Sequence, residues 1–231
     1  LNMEKMGMSP ESSHHEEGPG QNEIDFHYSN PLTAADDAMA FKTLVRTIAH
    51  RNGLCADFSP KPLQDKPGNG FHMNLSVKDD DGHYKLTQVL AGIMEYIEQI
   101  TVFLNPISES YERFGADKAP RYISWSSENR SQLIRIPAAS GEYRRAELRS
   151  PDPKANPYLA YSLIIYAGLY GIENNLSLPP TADLNFFKAN NTDVRKYKEL
   201  PDTLEKAKSI ALESDFVNKY LPKEIIDIYC R

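Results

Sequence analysis

Cysteine is nearly absent: Cys55 and Cys230 are the two in 231 residues. They stand far apart with no CxxC spacing, which argues against a disulfide framework or a zinc knuckle and fits a reducing, cytoplasmic setting. Long hydrophobic runs are missing too. The longest, Tyr161 to Ile172, is interrupted by Gly168 and Gly171 and falls well short of the roughly 20 residues that span a bilayer. It predicts a buried helix and no membrane partner. Basic charge is scarce: the net charge of −6 argues against a nucleic-acid surface. No GxxxxGK[ST] occurs, so any phosphate site is not a P-loop. The N-terminal stretch lacks a basic head followed by an apolar block, so it is not expected to be a signal peptide. Leu1 to Met6 reads instead as the tail of a helix closed by Gly7, so the chain reads as a piece of something longer.

An apolar fraction of 40% with 25% charged residues belongs to a globular protein, and the length favours one large domain. Apolar residues at Met39, Phe41, Leu44, Val45 and Ile48 predict a helix over 34–52, with Asp36 or Asp37 placed to cap it and Gly53 to end it. Leu54 to Phe58 and Phe71 to Val77 alternate like half-buried strands. Leu86 to Phe103 is a second amphipathic helix, stopped by Asn105-Pro106. Arg121 to Trp125, Gln132 to Ile136 and Tyr143 to Arg149 read as three more strands, followed by the long apolar helix over Asn156 to Asn174. The last fifty residues predict two or three short surface helices separated by Pro201, Phe216 and Pro222. Strands grouped between helices without strict alternation predict an α+β fold, an antiparallel sheet covered by helices.

Three segments carry chemistry. In HHEEGPGQNEIDF, residues 14–26, Glu16 and Glu23 flank a GPG turn that brings both to one side of a short strand pair or loop. Paired acids on a constrained loop suit magnesium or manganese, and a solvated acidic loop is the plainer alternative. In PGNGFHMNLS, residues 67–76, Gly68 and Gly70 permit close backbone approach, and His72, Asn74 and Ser76 share one strand face. His72 is a metal ligand or a structural histidine. Between Lys118 and Lys154 there is no lysine, yet there are six arginines: Arg121, Arg130, Arg135, Arg144, Arg145 and Arg149. Exclusive use of the planar, bidentate cation points to carboxylates or phosphates. Glu147 lies among them, on the same strand face as Arg149. It is either salt-bridged structure or a metal ligand beside an anionic substrate. Together these residues predict a metal-assisted site that handles phosphates and a carboxylate.

The blocks HHEEGPGQNEIDF, AHRNG, SPKP with GNGFHMNLS, NPISESYERF, APRYISWSSENRSQLIRIP and RRAELRSPDPKANPYLAYSLIIYAGLYGI occur in an order that resembles type I glutamine synthetase, down to about residue 176. The resemblance implies that 1–231 is the C-terminal portion of the catalytic domain. The N-terminal β-grasp domain and the first part of the catalytic barrel, including a Glu-x-Glu strand, would lie upstream. It implies ATP-dependent ligation of ammonia to glutamate through γ-glutamyl phosphate, with two or more Mg2+ or Mn2+ ions per complete site. By position, Glu16 and Glu23 match ligands of one metal, and His72 and Glu147 ligands of the other. Gly68, Arg113, Arg130 and Arg149 match residues that hold glutamate or the transferred phosphoryl group. Asn74, Ser76, Arg135 and Arg145 match nucleotide-contacting positions. The family's flap glutamate, which takes a proton from ammonium, falls on Lys118, with Asp117 beside it in a loop one residue shorter. That departure opens the alternative of a γ-glutamyl ligase for a polyamine or ethanolamine. A non-catalytic relative and, without the resemblance, a metal-dependent phosphohydrolase are the other readings. Phe187 stands near the tyrosine that some members adenylylate, so that regulation is expected to be absent. The family's stacked rings of six imply a homododecamer for the full-length protein and a monomer or small oligomer for these residues, which alone should bind metal weakly and turn over little.

Overall fold

A computed structural model describes residues 2–116, 118–137, 145–182 and 184–231. A single helical turn, α1 (Asn2–Lys5), ends at Gly7, whose φ of 83° takes the left-handed position expected of a terminator. The antiparallel hairpin β1 (Pro10–His15) and β2 (Asn22–Phe26) follows. Helix α2 (Pro31–Arg51) starts earlier than the apolar period suggests. Its cap is Asn30, whose side chain accepts from Thr33 N, with Pro31 in the first turn; Asp36 and Asp37 lie inside the helix and cap nothing. Gly53 closes it with a φ of 71°.

Leu54 to Phe58 forms no strand. Asp57 instead accepts a hydrogen bond from Ser59 N at 2.7 Å, a local turn that competes with extended pairing. Then come β3 (Met73–Leu75), α3 (Leu86–Leu104), the short α4 (Ser108–Tyr111), β4 (Trp125–Ser126), β5 (Ile134–Arg135) and β6 (Ala146–Leu148). The strands are shorter than the alternation implied, and the first residues of the predicted 143–149 strand lie outside the described residues. They form a four-stranded sheet in the order β3-β6-β5-β4. The β3–β6 and β6–β5 ladders are antiparallel, and the two-residue β4–β5 pairing is parallel.

Helix α3 organises the core: Leu90, Ile93, Ile97, Ile100 and Phe103 are fully buried. Against it packs α5 (Pro157–Glu173), opened by Asn156 as a side-chain cap. The two backbones meet at glycines. A Cβ at Gly92 would lie 2.1 Å from Ala167 O, and one at Gly171 2.0 Å from Gln88 O, so no other residue fits there without a shift. The sequence predicted a buried α5. One face is buried, while Tyr158, Ile165, Tyr166 and Leu169 on the others are about two-fifths exposed.

After the one-turn α6 (Asn191–Val194), α7 (Leu204–Leu212), α8 (Asp215–Tyr220) and α9 (Lys223–Cys230) close the far side of α3. They are not merely surface helices: Ala207, Ala211, Val217, Ile226 and Cys230 join the core. Phe216 does not separate helices; it lies within α8 and stacks on Tyr96 with ring centroids 4.0 Å apart. No described helix is long and apolar enough to cross a membrane.

Candidate active site

Strand β6 lies between β3 and β5, so Glu147 has Asn74 opposite on one side and Arg135 on the other. Residues two apart on a strand share a face, which adds Arg149 just past β6 and His72 just ahead of β3. The side chains converge accordingly. Glu147 Oε1 lies 2.6 Å from Arg149 Nη1 and 3.1 Å from His72 Nδ1, and Oε2 lies 3.2 Å from Arg135 Nη1. Burial works against the Glu147 charge, yet the hydrogen bond from His72 and the two guanidiniums outweigh it and hold its pKa at about 2. Burial pushes the His72 imidazole down, against the pull of Glu147. Arg135 Nε and Arg149 Nε are buried without a hydrogen-bond partner among the described residues.

The hairpin builds a second cluster. Its register sets His14 opposite Glu23, and strand alternation carries Glu16 to the same face. His14 Nε2 lies 3.1 Å from Glu16 Oε1 and 3.7 Å from Glu23 Oε2. Donor atoms of all three fall within 4.8 Å of one another. Here negative charge is in excess: burial, then Asp25 and Glu16, push the Glu23 carboxyl up to about 7. Burial also acts to raise Glu16, but the Lys118 ammonium and the His14 hydrogen bond prevail and lower it.

Two connections bring the clusters side by side. Lys118 Nζ lies 2.6 Å from Glu17 Oε1 and 3.8 Å from Glu16 Oε2, while its carbonyl accepts from Arg149 Nη2 at 3.2 Å. Gln21 in the hairpin turn donates to Gly68 O at 3.0 Å and to Asn69 Oδ1 at 2.9 Å. The Gly68 loop is tight: a Cβ there would lie 2.5 Å from Pro60 O and 2.9 Å from Arg113 Cγ. Arg113 itself is buried, with Nη1 donating to Ser150 O at 3.1 Å and to Asn105 Oδ1 at 3.3 Å.

A family model described as "Glutamine synthetase, catalytic domain" matches residues 1–231. The chain belongs to this glutamine synthetase family. A glutamine synthetase of Clostridium saccharobutylicum is 39% identical over 99% of this chain and 55% of its own length. One from Methanosarcina mazei is 39% identical over 98% of this chain and 54% of its own length. Among solved structures, GmaS without ligand superposes with a TM-score of 0.87 at 30% identity, over 99% of this chain and 55% of that one. A GmaS complex with ADP gives 0.85 at 30% identity, over 96% of this chain and 54% of that one. The chain spans about half the length of the relatives it matches.

Of the residues that resemblance to glutamine synthetase singled out, Glu16 and Glu23 meet in one cluster and His72 and Glu147 in the other. Arg135 and Arg149 join the second. Arg130 is exposed, with its charge near enough to Arg149 to be felt there. Asn74 in β3 and Ser76 and Arg145 just outside the strands are exposed. Arg113 lies behind Gly68, its guanidinium turned to backbone carbonyls. Asp117 lies outside the described residues. Sequence reasoning missed His14 as a partner of the acids, although the alternation of His14 and Glu16 was there to be read. It also missed Gln21, whose role depends on a contact 47 positions away.

Proposed function

We propose that this chain is the C-terminal portion of a catalytic domain that ligates ammonia to the side-chain carboxylate of glutamate at the expense of ATP, giving glutamine. The observation that carries this reading is the pairing of the two acid clusters, joined through Lys118 and Arg149, in a chain of this family. The hairpin donor set of His14, Glu16 and Glu23 suits a hard divalent cation. Crowded acids that hold Glu23 up at about 7 favour a cation that relieves their repulsion. Mg2+ or Mn2+ would be held by Glu16 and Glu23 in one cluster and by His72 and Glu147 in the other. When bound, such ions neutralise phosphate oxygens and the charge that develops on the transferred group.

The remaining work falls to the chain's own groups. The guanidiniums of Arg135 and Arg149, gathered at Glu147, and the exposed Arg130 suit the oxygens of a phosphate and a carboxylate. Asn74, Ser76 and Arg145, exposed at and beside the sheet, would contact the nucleotide, as the resemblance to glutamine synthetase implies. Gly68 keeps its loop close to Arg113, where glutamate would bind. The γ-phosphoryl passes in line to the glutamate side-chain carboxylate, releasing ADP. Ammonia, once ammonium has lost its proton, attacks the acyl carbon of γ-glutamyl phosphate, and phosphate departs with the former carboxylate oxygen.

These residues alone offer few oxygen ligands per ion, so the 231-residue chain should bind metal weakly and turn over little. The full-length protein is expected to be a cytoplasmic homododecamer, and the present chain a monomer or small oligomer. A second reading, ligation of a polyamine or ethanolamine, is motivated by Lys118, which sets an ammonium beside the acids at the position of the family's proton-accepting flap glutamate. Phosphate release by full-length protein, measured with ATP, glutamate and either ammonium or a panel of amines, decides. Ammonium-dependent release is expected. A strong preference for a bulky amine would replace the first reading with the second, and release that needs neither glutamate nor amine would sink both.

A further inference from the structure

Lys118 adopts a φ of 70°, in the left-handed region that lysine seldom enters. Both ends of the residue are held there. Its carbonyl accepts from Arg149 Nη2, and its ammonium meets Glu17 and Glu16. The turn around it is pinned as well: Gly115 N donates to Ala119 O at 3.0 Å and Ala119 N to Ala116 O at 2.9 Å. The ammonium is therefore delivered by a constrained turn to the edge of the His14–Glu16–Glu23 cluster.

We propose that Lys118 is a tethered cation that competes with the divalent ion for the Glu16 carboxylate, so that the ion enters by displacing it. The proposal rests on the metal-centre reading above. A carboxylate oxygen that coordinates an ion is withdrawn from the ammonium 3.8 Å away, and two cations drawn to one carboxylate repel each other. Anchoring through Glu17 and Arg149 keeps the displaced lysine beside the site, where it can return when the ion leaves. Lys118 thus sets the threshold concentration at which this cluster fills.

Mn2+ binding to the 231-residue chain, followed at millimolar ion through the EPR signal of free Mn2+, tests this. Lys118→Met should bind roughly three- to tenfold tighter than the unaltered chain, and Lys118→Arg within about twofold of it. Circular dichroism establishes that each variant folds, and Lys118→Gln substitutes for Lys118→Met if that variant does not. In the unaltered chain, acetylation of Lys118 by an N-hydroxysuccinimide ester, read by peptide mass spectrometry, should rise severalfold when Mn2+ is added. Acetylation of Lys223, exposed on α9, should not change. Equal Mn2+ affinity with and without the ammonium overturns the competition and leaves the metal centre standing. Failure of every form to bind Mn2+ overturns both.

Discussion

The two acid clusters lie side by side and meet opposite electrostatic problems. Around Glu147 positive groups are in excess: two guanidiniums and an imidazole share one carboxylate, held at a pKa of about 2 despite its burial. Around Glu23 the acids dominate, and burial with Asp25 and Glu16 raises it to about 7. The sheet cluster is thus charge-compensated by its own residues, while the hairpin cluster is left short of a cation that Lys118 only partly supplies. A compensated carboxylate contributes to the fold with no ion bound, and an overcrowded one opposes it until an ion arrives.

The largest effect should follow from breaking the compensated side. Glu147→Ala leaves the guanidiniums of Arg135 and Arg149 facing each other, the latter 4% exposed, with no anion between them. Stranding buried charge costs on the order of 3–5 kcal/mol, or roughly 10 °C in Tm for a chain of this size. Thermal unfolding by circular dichroism checks it, and a drop of only a degree or two would show that the sheet does not need its carboxylate. The pH dependence has a definite sign. A pKa lowered from 4.5 to about 2 means that the stabilisation is present above pH 4.5 and is lost as pH falls towards 2. The difference between the unaltered chain and Glu147→Gln should therefore close over that window.

The contrast between the clusters was only half legible in the sequence. Faces were readable: alternation places His72 with Asn74, and Glu147 with Arg149, because side chains on a strand repeat every second residue. Pairing was not. The ladder that sets Asn74 opposite Glu147 joins β3 to β6 across 73 positions, and no local pattern encodes it. Apolar period points to Asp36 or Asp37 as the cap of α2, whereas the capping chemistry of Asn30-Pro31 starts the helix earlier. The segment at Leu54 alternates correctly, but Asp57 turns the chain back on itself, and Pro60 and Pro62 beyond it lack the N–H that would extend a ladder. Arg113 is assigned to anion binding by resemblance alone; its burial behind Gly68 depends on tertiary packing.

A smaller effect should sharpen the other side of the comparison. A carboxyl whose pKa rises from 4.5 to about 7 supports the fold fully only below pH 4.5, and that support disappears as pH rises through 7. Glu23→Gln imitates the protonated form. Without metal it should match the unaltered chain at low pH and exceed it at pH 8 by about 1 kcal/mol, a value reduced for the partial solvent exposure of Glu23. Urea midpoints across pH 4 to 8 supply the measurement. Adding Mn2+ should stabilise the unaltered chain more than the variant, because the ion binds the ionised carboxylate. A variant less stable than its parent at pH 8 without metal would show that the hairpin cluster is not overcrowded.

The smallest effect bears on whether the clusters are coupled at all. Gln21 bridges them through the backbone: Oε1 accepts from Gly18 N at 3.0 Å, and Nε2 reaches Gly68 O and Asn69 Oδ1. Gly70, two residues further on, lies so close to His72 that a Cβ there would fall 2.7 Å from Nε2. The hairpin turn is thereby keyed to the loop that leads into the sheet cluster. Gln21→Ala removes both donated bonds and should cost about 1 kcal/mol, a Tm loss of roughly 2–4 °C. A purely local loss would simply add to that of His72→Ala. Contact between the clusters through this loop predicts non-additivity instead, since substitutions that share a hydrogen-bonded network couple by about 0.5 kcal/mol or more. A double-mutant cycle with His72→Ala, read by urea unfolding, separates the two cases. A coupling energy of zero would reduce the clusters to neighbours held in place independently, with Lys118 and Arg149 as their remaining link.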